Sequence, residues 1–307
     1  MFVVRSVVVC VAFFGVMYSA LSLAVAFAWW TLRRVPRSTA FQSAGFIFGL
    51  RIFPFAVSMI ATVFLTLPSF WLMERRSFDE DATTFFLAGF ALLLLIAGAI
   101  RVLQAQLRTS QAVTEWLRNA SSDEEGSIAA MSAKKGAPAL MLVGVCRSKV
   151  MVSDMAAAVL NDNELRVAIR HELGHRRSWD NLKKLLINAT PFLGMRTIER
   201  AWREAAELAA DDSAVETRQD ALDLASALIK LSRSSRQWSE PELASGLACA
   251  SSAIDLRVHR LLQWHTRPRI RRTWVWVLPS VFLLTALASN YGTALVLTHR
   301  LTELLVP

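Results

Sequence analysis

The sequence predicts a multi-pass α-helical membrane protein with four transmembrane helices and a cytosolic, mainly helical α+β domain between the third and the fourth. Three observations carry that prediction. Hydrophobic residues make up 54% of the 307, more than a soluble domain of this length ordinarily holds, and they are gathered into four long blocks. The connections between blocks alternate between basic and acidic. Residues 104–272, between the third and fourth blocks, are of mixed composition and switch between short apolar runs and helical periodicity.

The blocks are well defined. Ser6 to Leu32 runs without a charge between Arg5 and Arg33, and Ser43 to Met73 is interrupted only by Arg51. Ala82 to Ile100 is free of charge, and Thr273 to Thr298 lies between Arg272 and His299. Each exceeds or approaches the roughly 20 residues a helix needs to cross the hydrocarbon core. Spans are therefore expected at 6–32, 44–72 and 82–103, making 1–103 the first membrane unit. The fourth span and a short external tail after Thr298 are expected within 273–307. The first block is too long for a signal-peptide core and has no small-residue cleavage site before Trp29 and Trp30, so it is expected to stay as an anchor. Trp29, Trp30, Trp71, Trp274 and Trp276 sit at block ends, where amphipathic rings favour the interface. Arg51, near a block end, is expected to snorkel to the cytosolic interface rather than reach across to the domain.

The net charge of +9 would suggest nucleic acid in a soluble protein, but its distribution points to topology. Arg33, Arg34 and Arg37 follow the first block, and Glu74, Asp79, Glu80 and Asp81 outweigh Arg75 and Arg76 after the second. Arg101, Arg108 and Arg118 follow the third block, and Arg267, Arg269, Arg271 and Arg272 precede the fourth. This is the positive-inside pattern. Residues 104–272 are then cytosolic, both termini lie outside, the lipid bilayer is a partner, and no direct nucleic-acid contact is expected. Cys10, Cys146 and Cys249 are divided between membrane and cytosol, so no disulfide is expected.

Inside the domain, residues 119–137 (NASSDEEGSIAAMSAKKGA) read as a linker. ALMLVGV and KVMVS read as two strands turning at Arg147 and Ser148. Asn161 with Glu164 is a capping-box signature that opens one long helix, ended by Pro191 and Gly194. A second helix is expected from about Met195 to Arg218, with more helix over 220–264.

The long helix contains His171-Glu172-Leu173-Gly174-His175. Residues four apart share a helical face, so both imidazoles can reach one Zn2+ ion. Glu172, about 100° round the helix from His171, stands beside the metal, where a base acting on water belongs. A surface helix with two solvated histidines is the bland alternative. A catalytic zinc needs a third protein ligand. Pro191 lies midway between His175 and Glu207, so an antiparallel fold-back brings Glu207 level with His175. Asp211, one turn further on, can then accept a hydrogen bond from a ligand histidine. Glu204 competes with Glu207 as ligand, Asp212 competes with Asp211, and a solvated face is the bland reading of Glu207.

HELGH with a downstream ExxxD element resembles the gluzincin membrane peptidases, and HELGHRRSWDNL, with Asp180 and Asn181, is similar to their BlaR/MecR-type antirepressor branch. Three spans before the domain and one after also match that branch, whereas the HtpX quality-control type has two and two. The resemblance implies a zincin-like fold, one Zn2+ per chain, and zinc-dependent hydrolysis of peptide bonds. It implies a cytosolic protein substrate such as a winged-helix repressor, and self-cleavage. Leu256 to Leu262 (LRVHRLL) is similar to an arginine-containing helix of such peptidases; a structural or surface role is the expectation for Arg257, and Arg257 and His259 are the alternative candidates for an oxyanion donor. The external penicillin-binding domain of BlaR-type receptors is expected to be absent, so β-lactam sensing is not carried over. Quality control of membrane proteins, or a non-catalytic scaffold or metal sensor, are the other readings. Oligomeric state is not legible.

Overall fold

The computed structural model describes residues 2–33, 43–73, 82–118, 122–125, 128–131, 140–145, 148–234, 254–264 and 290–305. Three of its helical runs, Phe2–Leu32, Ala44–Met73 and Ala82–Glu115, are long and apolar enough to cross a membrane. The first is α1 (Phe2–Leu32). The second is α2 (Ala44–Ala61), a π-helical turn over Thr62–Thr66 and α3 (Leu67–Met73). The Ser43 hydroxyl caps α2 by accepting from the Phe46 amide. The third, α4 (Ala82–Arg118), runs well past the expected span end at residue 103. Residues 273–289 of the expected fourth span lie outside the described residues. The last described helix, which we number α11 (Tyr291–Leu305), continues past the expected boundary at Thr298. Its Tyr291 hydroxyl donates to the Phe64 carbonyl at 2.8 Å.

The segment read as a linker carries two strands, β1 (Ser122–Glu125) and β2 (Ile128–Met131). The expected pair follows as β3 (Leu140–Val143) and β4 (Lys149–Ser153), antiparallel with Leu140 opposite Val152 and Leu142 opposite Val150. These strands make one sheet in the order β1-β2-β4-β3, with β2 and β4 parallel. Arg147 of the expected turn lies outside the described residues. The small, charged composition of 119–137 hid the strands because β2 is held by β4, and β1 in turn by β2, through tertiary pairing rather than local pattern.

Helices α5 (Asp154–Val159), α6 (Asp162–Arg177), α7 (Asp180–Ala189), α8 (Arg196–Ala214), α9 (Arg218–Ser234) and α10 (Ile254–Leu262) follow. The long helix expected from Asn161 is thus two, broken at Ser178 and Trp179. Trp179 adopts φ 56°, a left-handed conformation rare for a bulky residue, and it turns the chain into α7. Alternate residues Leu140, Leu142, Val150 and Val152 face α6 and α9, where Val167, Ala168, Leu224, Leu228 and Leu231 complete one core.

A second core joins helices predicted to be in the membrane to those predicted to be cytosolic. Val25 and Trp29 of α1 and Ile47 of α2 pack with Ile187 of α7 and Ile198 and Trp202 of α8. Trp29 therefore faces this core, whereas Trp30 and Trp71 are exposed; Trp274 and Trp276 lie outside the described residues. Cys10 is a buried free thiol.

Arg51 overturns the snorkelling expectation. It is 1% exposed. Its Nε donates to Glu199 Oε1 at 3.0 Å, Nη1 to Thr190 Oγ1 at 3.2 Å and Nη2 to the Thr190 carbonyl at 2.6 Å. Carbonyls freed at the end of α7 hold the guanidinium more closely than distant headgroups could. Removing one partner of a buried ion pair costs roughly 3–5 kcal/mol. We expect Arg51→Leu to lower the Tm in detergent, with part of the loss recovered when Glu199→Leu is added. Unchanged unfolding of the single variant would return Arg51 to the interface.

Candidate metal centre

Helix α6 begins at an intact capping box, with Asn161 Oδ1 accepting from the Glu164 amide and Glu164 Oε2 accepting from the Asn161 amide. Glu164 is itself buried against Ser226 and Lys230 of α9. Burial raises its carboxyl, but those two partners and the Asn161 amide outweigh it and hold it below the usual range. This end sets the register of the helix. From there Val167, His171 and His175, spaced by four, share one buried face.

The two imidazoles meet edge to face, with Nε2 atoms 3.2 Å apart. Glu207 on α8 closes a triangle, its Oε2 3.7 Å from His171 Nε2 and its Oε1 3.5 Å from His175 Nε2. One ligand atom from each residue lies within 4.8 Å of the other two. Tetrahedral bonds of about 2.0–2.1 Å imply edges of about 3.3–3.4 Å between ligand atoms. The donor set and its spacing fit a zinc ion.

The opposite ring nitrogens explain why these atoms converge. His175 Nδ1 is 2.7 Å from Asp180 Oδ2, and His171 Nδ1 is 3.0 Å from Asp211 Oδ1. At His175 the hydrogen-bonded carboxylate keeps the proton on Nδ1 and leaves the Nε2 lone pair facing inward, and at His171 the aspartate stands beside Nδ1 at ion-pair distance. Asp211 stands behind His171, one turn beyond Glu207 on α8. Asp180 as a partner of His175 went unrecognised, because five positions along a continuous helix point about 140° away. Only the break at Trp179 brings it back. The signal available was its place in the HELGHRRSWDNL string. The next residue, Asn181, donates to the Leu142 and Gly144 carbonyls and ties this turn to β3.

Arg257 of α10 is 1% exposed and overturns the surface reading. Its Nε and Nη2 donate to the two oxygens of Asp211 at 2.8 and 2.6 Å, and Nη1 donates to Glu207 Oε2 at 2.9 Å. Three donors are thus committed to carboxylates. Arg257 shares its helical face with buried Leu261, which was the one local hint. His259 is exposed and bonded to Gln263, away from the centre. Glu204 is exposed, and Asp212, also exposed, pairs with Arg260; neither joins the cluster. Glu172 is fully buried, and its charge acts on Arg257.

Charge balance follows. Burial pushes the Glu207 carboxyl up, yet His175, His171 and Arg257 outweigh it and hold it at about 2. Burial likewise opposes ionised Asp211, and Arg257 and His171 leave it well below the usual carboxylate range. Asp180 is also lowered, against burial, by His175 and Lys183. The cluster therefore presents ionised carboxylates at neutral pH.

Gly174 has a steric reason to lack a side chain. A Cβ there would lie 2.2 Å from Ser213 Oγ and 3.4 Å from Ala210 Cα, so glycine lets α8 approach α6 closely enough for Glu207 to reach the histidines. We expect Gly174→Ala to cost roughly 1–3 kcal/mol by overpacking, and Gly174→Ala with Ser213→Ala to recover most of it in thermal unfolding. If the double variant is no better than the single, the hydroxyl is not the obstacle. Asp180→Asn and Asp211→Ala should each weaken metal binding by about 10–100-fold, measured by chelator competition, whereas Glu204→Ala should leave it unchanged.

No curated protein matches the chain. A family model described as BlaR1 peptidase M56 matches residues 82–261. That match takes in α4, the sheet, the paired histidines, Glu207 and the arginine helix, more than half of the sequence. With three helices able to span a membrane and a cluster able to hold a metal, the chain belongs to the BlaR1 peptidase M56 family.

Proposed function

We propose that this chain is a membrane-bound zinc endopeptidase of zincin-like fold, with His171, His175 and Glu207 holding one ion and Glu172 serving as base. The observation that carries this reading is the inward-facing triangle of two Nε2 atoms and a carboxylate, each imidazole backed at Nδ1 by an aspartate. When bound, zinc supplies Lewis-acid polarisation of a peptide carbonyl and makes water acidic near neutral pH. Glu172, buried one residue from His171, takes a proton from water as its oxygen attacks the carbonyl carbon. It returns that proton to the amine as the C–N bond breaks. Arg257 positions Glu207 and Asp211 and neutralises their charge, so it acts through them rather than as an oxyanion donor.

β3 is an edge strand of the sheet, and an extended peptide can pair along it. Asn181 fixes the far end of that edge at Leu142 and Gly144, next to the aspartate that orients His175. The basic flanks of residues 104–272 support a cytosolic site under a four-span topology. The substrate is then a cytosolic protein, with regulated cleavage of a winged-helix repressor the reading favoured by the family.

Glu172→Gln should keep one metal per chain and lose about 10²–10⁴-fold in proteolysis, while His175→Ala loses both. Wild-type cleavage by the glutamine variant would end the proposal. Single cysteines at Ser122 and Asp79 test the sidedness. Impermeant labelling of intact cells at Asp79 only is expected, and the reverse pattern inverts the topology.

A further inference from the structure

The turn between α7 and α8 meets the apolar helices at four places. Tyr18, midway along α1, donates its hydroxyl to the Thr190 carbonyl at 2.9 Å and to the Pro191 carbonyl at 3.2 Å. Arg51 of α2 holds the Thr190 carbonyl, its hydroxyl and Glu199. Gly98 of α4 lies so close to the Ala189 carbonyl that a Cβ would stand 2.2 Å from it, and Gly194, at φ 87°, faces Ala26 of α1. Three of these helix positions lie inside apolar runs: Gly98 precedes the first charge of α4, Arg101, and Tyr18 and Ala26 lie inside the uncharged run of α1.

Irregular backbone is tolerated at membrane depth only where its polar groups are satisfied by protein. Tyr18 and Arg51 satisfy the Thr190 and Pro191 carbonyls, where this turn begins. Its outward side chain is apolar: Leu193 is 89% exposed, and Leu186 behind it is also exposed. The same spans turn Leu23, Phe27 and Ile96 outward. Arg196 and Arg200, exposed on the first turns of α8, are long enough to reach headgroup phosphates from below them.

We infer that the α7–α8 turn is a membrane-inserted segment, with Leu193 in the acyl region of the bilayer and the first turn of α8 at the headgroups. The surface it offers is continuous with the lipid-facing sides of α1 and α4, and lipid hydrocarbon is its occupant. This goes beyond the proposed peptidase activity and does not depend on it. It also sets the depth of the metal centre, since Glu207 follows Glu199 by about 12 Å along α8 at 1.5 Å per residue.

The test uses the full chain in phosphatidylcholine and phosphatidylglycerol vesicles, with its three cysteines replaced by alanine and a bimane probe on Leu193→Cys. Leu93→Cys on α4 and Asp212→Cys on α8 serve as controls. The expected result is loss of Leu193 fluorescence with lipids carrying a nitroxide near the carbonyl end of the acyl chain, and little loss with iodide. Leu93 should also be quenched by nitroxide lipids, and Asp212 by iodide. Quenching of Leu193 by iodide and not by the nitroxide lipids, while Leu93 is quenched by them, overturns the inference. Should Leu93 also escape the nitroxide lipids, the reading of α4 as a span fails, and the inference fails with it. The experiment reads position alone, so loss of peptidase activity in any variant leaves its outcome intact.

Discussion

Asp211 lies between a buried guanidinium and a buried imidazole, and the centre depends on its serving both. Arg257, with its side chain wholly buried, is neutralised chiefly by its ion pairs with Asp211 and Glu207. The same carboxylate sits 3.0 Å from His171 Nδ1. A single pair therefore fixes α10 against α8, keeps Asp211 ionised against its burial, and sets the orientation of an imidazole on α6. The proposed ligand Glu207, one turn away on α8, shares the same arginine. Charge in this region is arranged as a connected network, in which each buried group is neutralised by a neighbour that also positions it.

Packing makes that network possible. Two cores flank the centre, one formed by the sheet with α6 and α9, the other by α7 and α8 with α1 and α2. The α6–α8 contact lies between them, and Gly174 opposite Ala210 and Ser213 allows the close approach. Because α8 belongs to the second core, the carboxylate face of the centre rests on helices able to span a membrane. Arg51 adds a polar tie at that same junction.

Much of the architecture was legible because its causes are local. Three apolar helices, a capping box at Asn161 and alternation in 140–153 each depend on neighbours in sequence. Glu207 lies 3.5 Å from His175 Nε2, and the chain reaches that position through the break at Trp179 and the separate helix α7 rather than by a direct fold-back. By contrast, the strands at 122–125 and 128–131 lack a local signature. Arg51 looked like a snorkelling residue because its partner Glu199 is 148 positions away.

By itself the sequence determined that His171 and His175 share one helical face with Glu172 beside them, since four residues make about one helical turn whatever surrounds the helix. It also determined where long apolar helices would form, since hydrocarbon length sets a minimum run. Only the tertiary structure decided which carboxylates stand behind the imidazoles and which cation balances them. Asp180 reaches His175 through a left-handed residue that interrupts helical periodicity. Arg257 meets Asp211 across 46 residues of chain. Charge pairing of that kind depends on distances in space, which packing sets and sequence spacing does not.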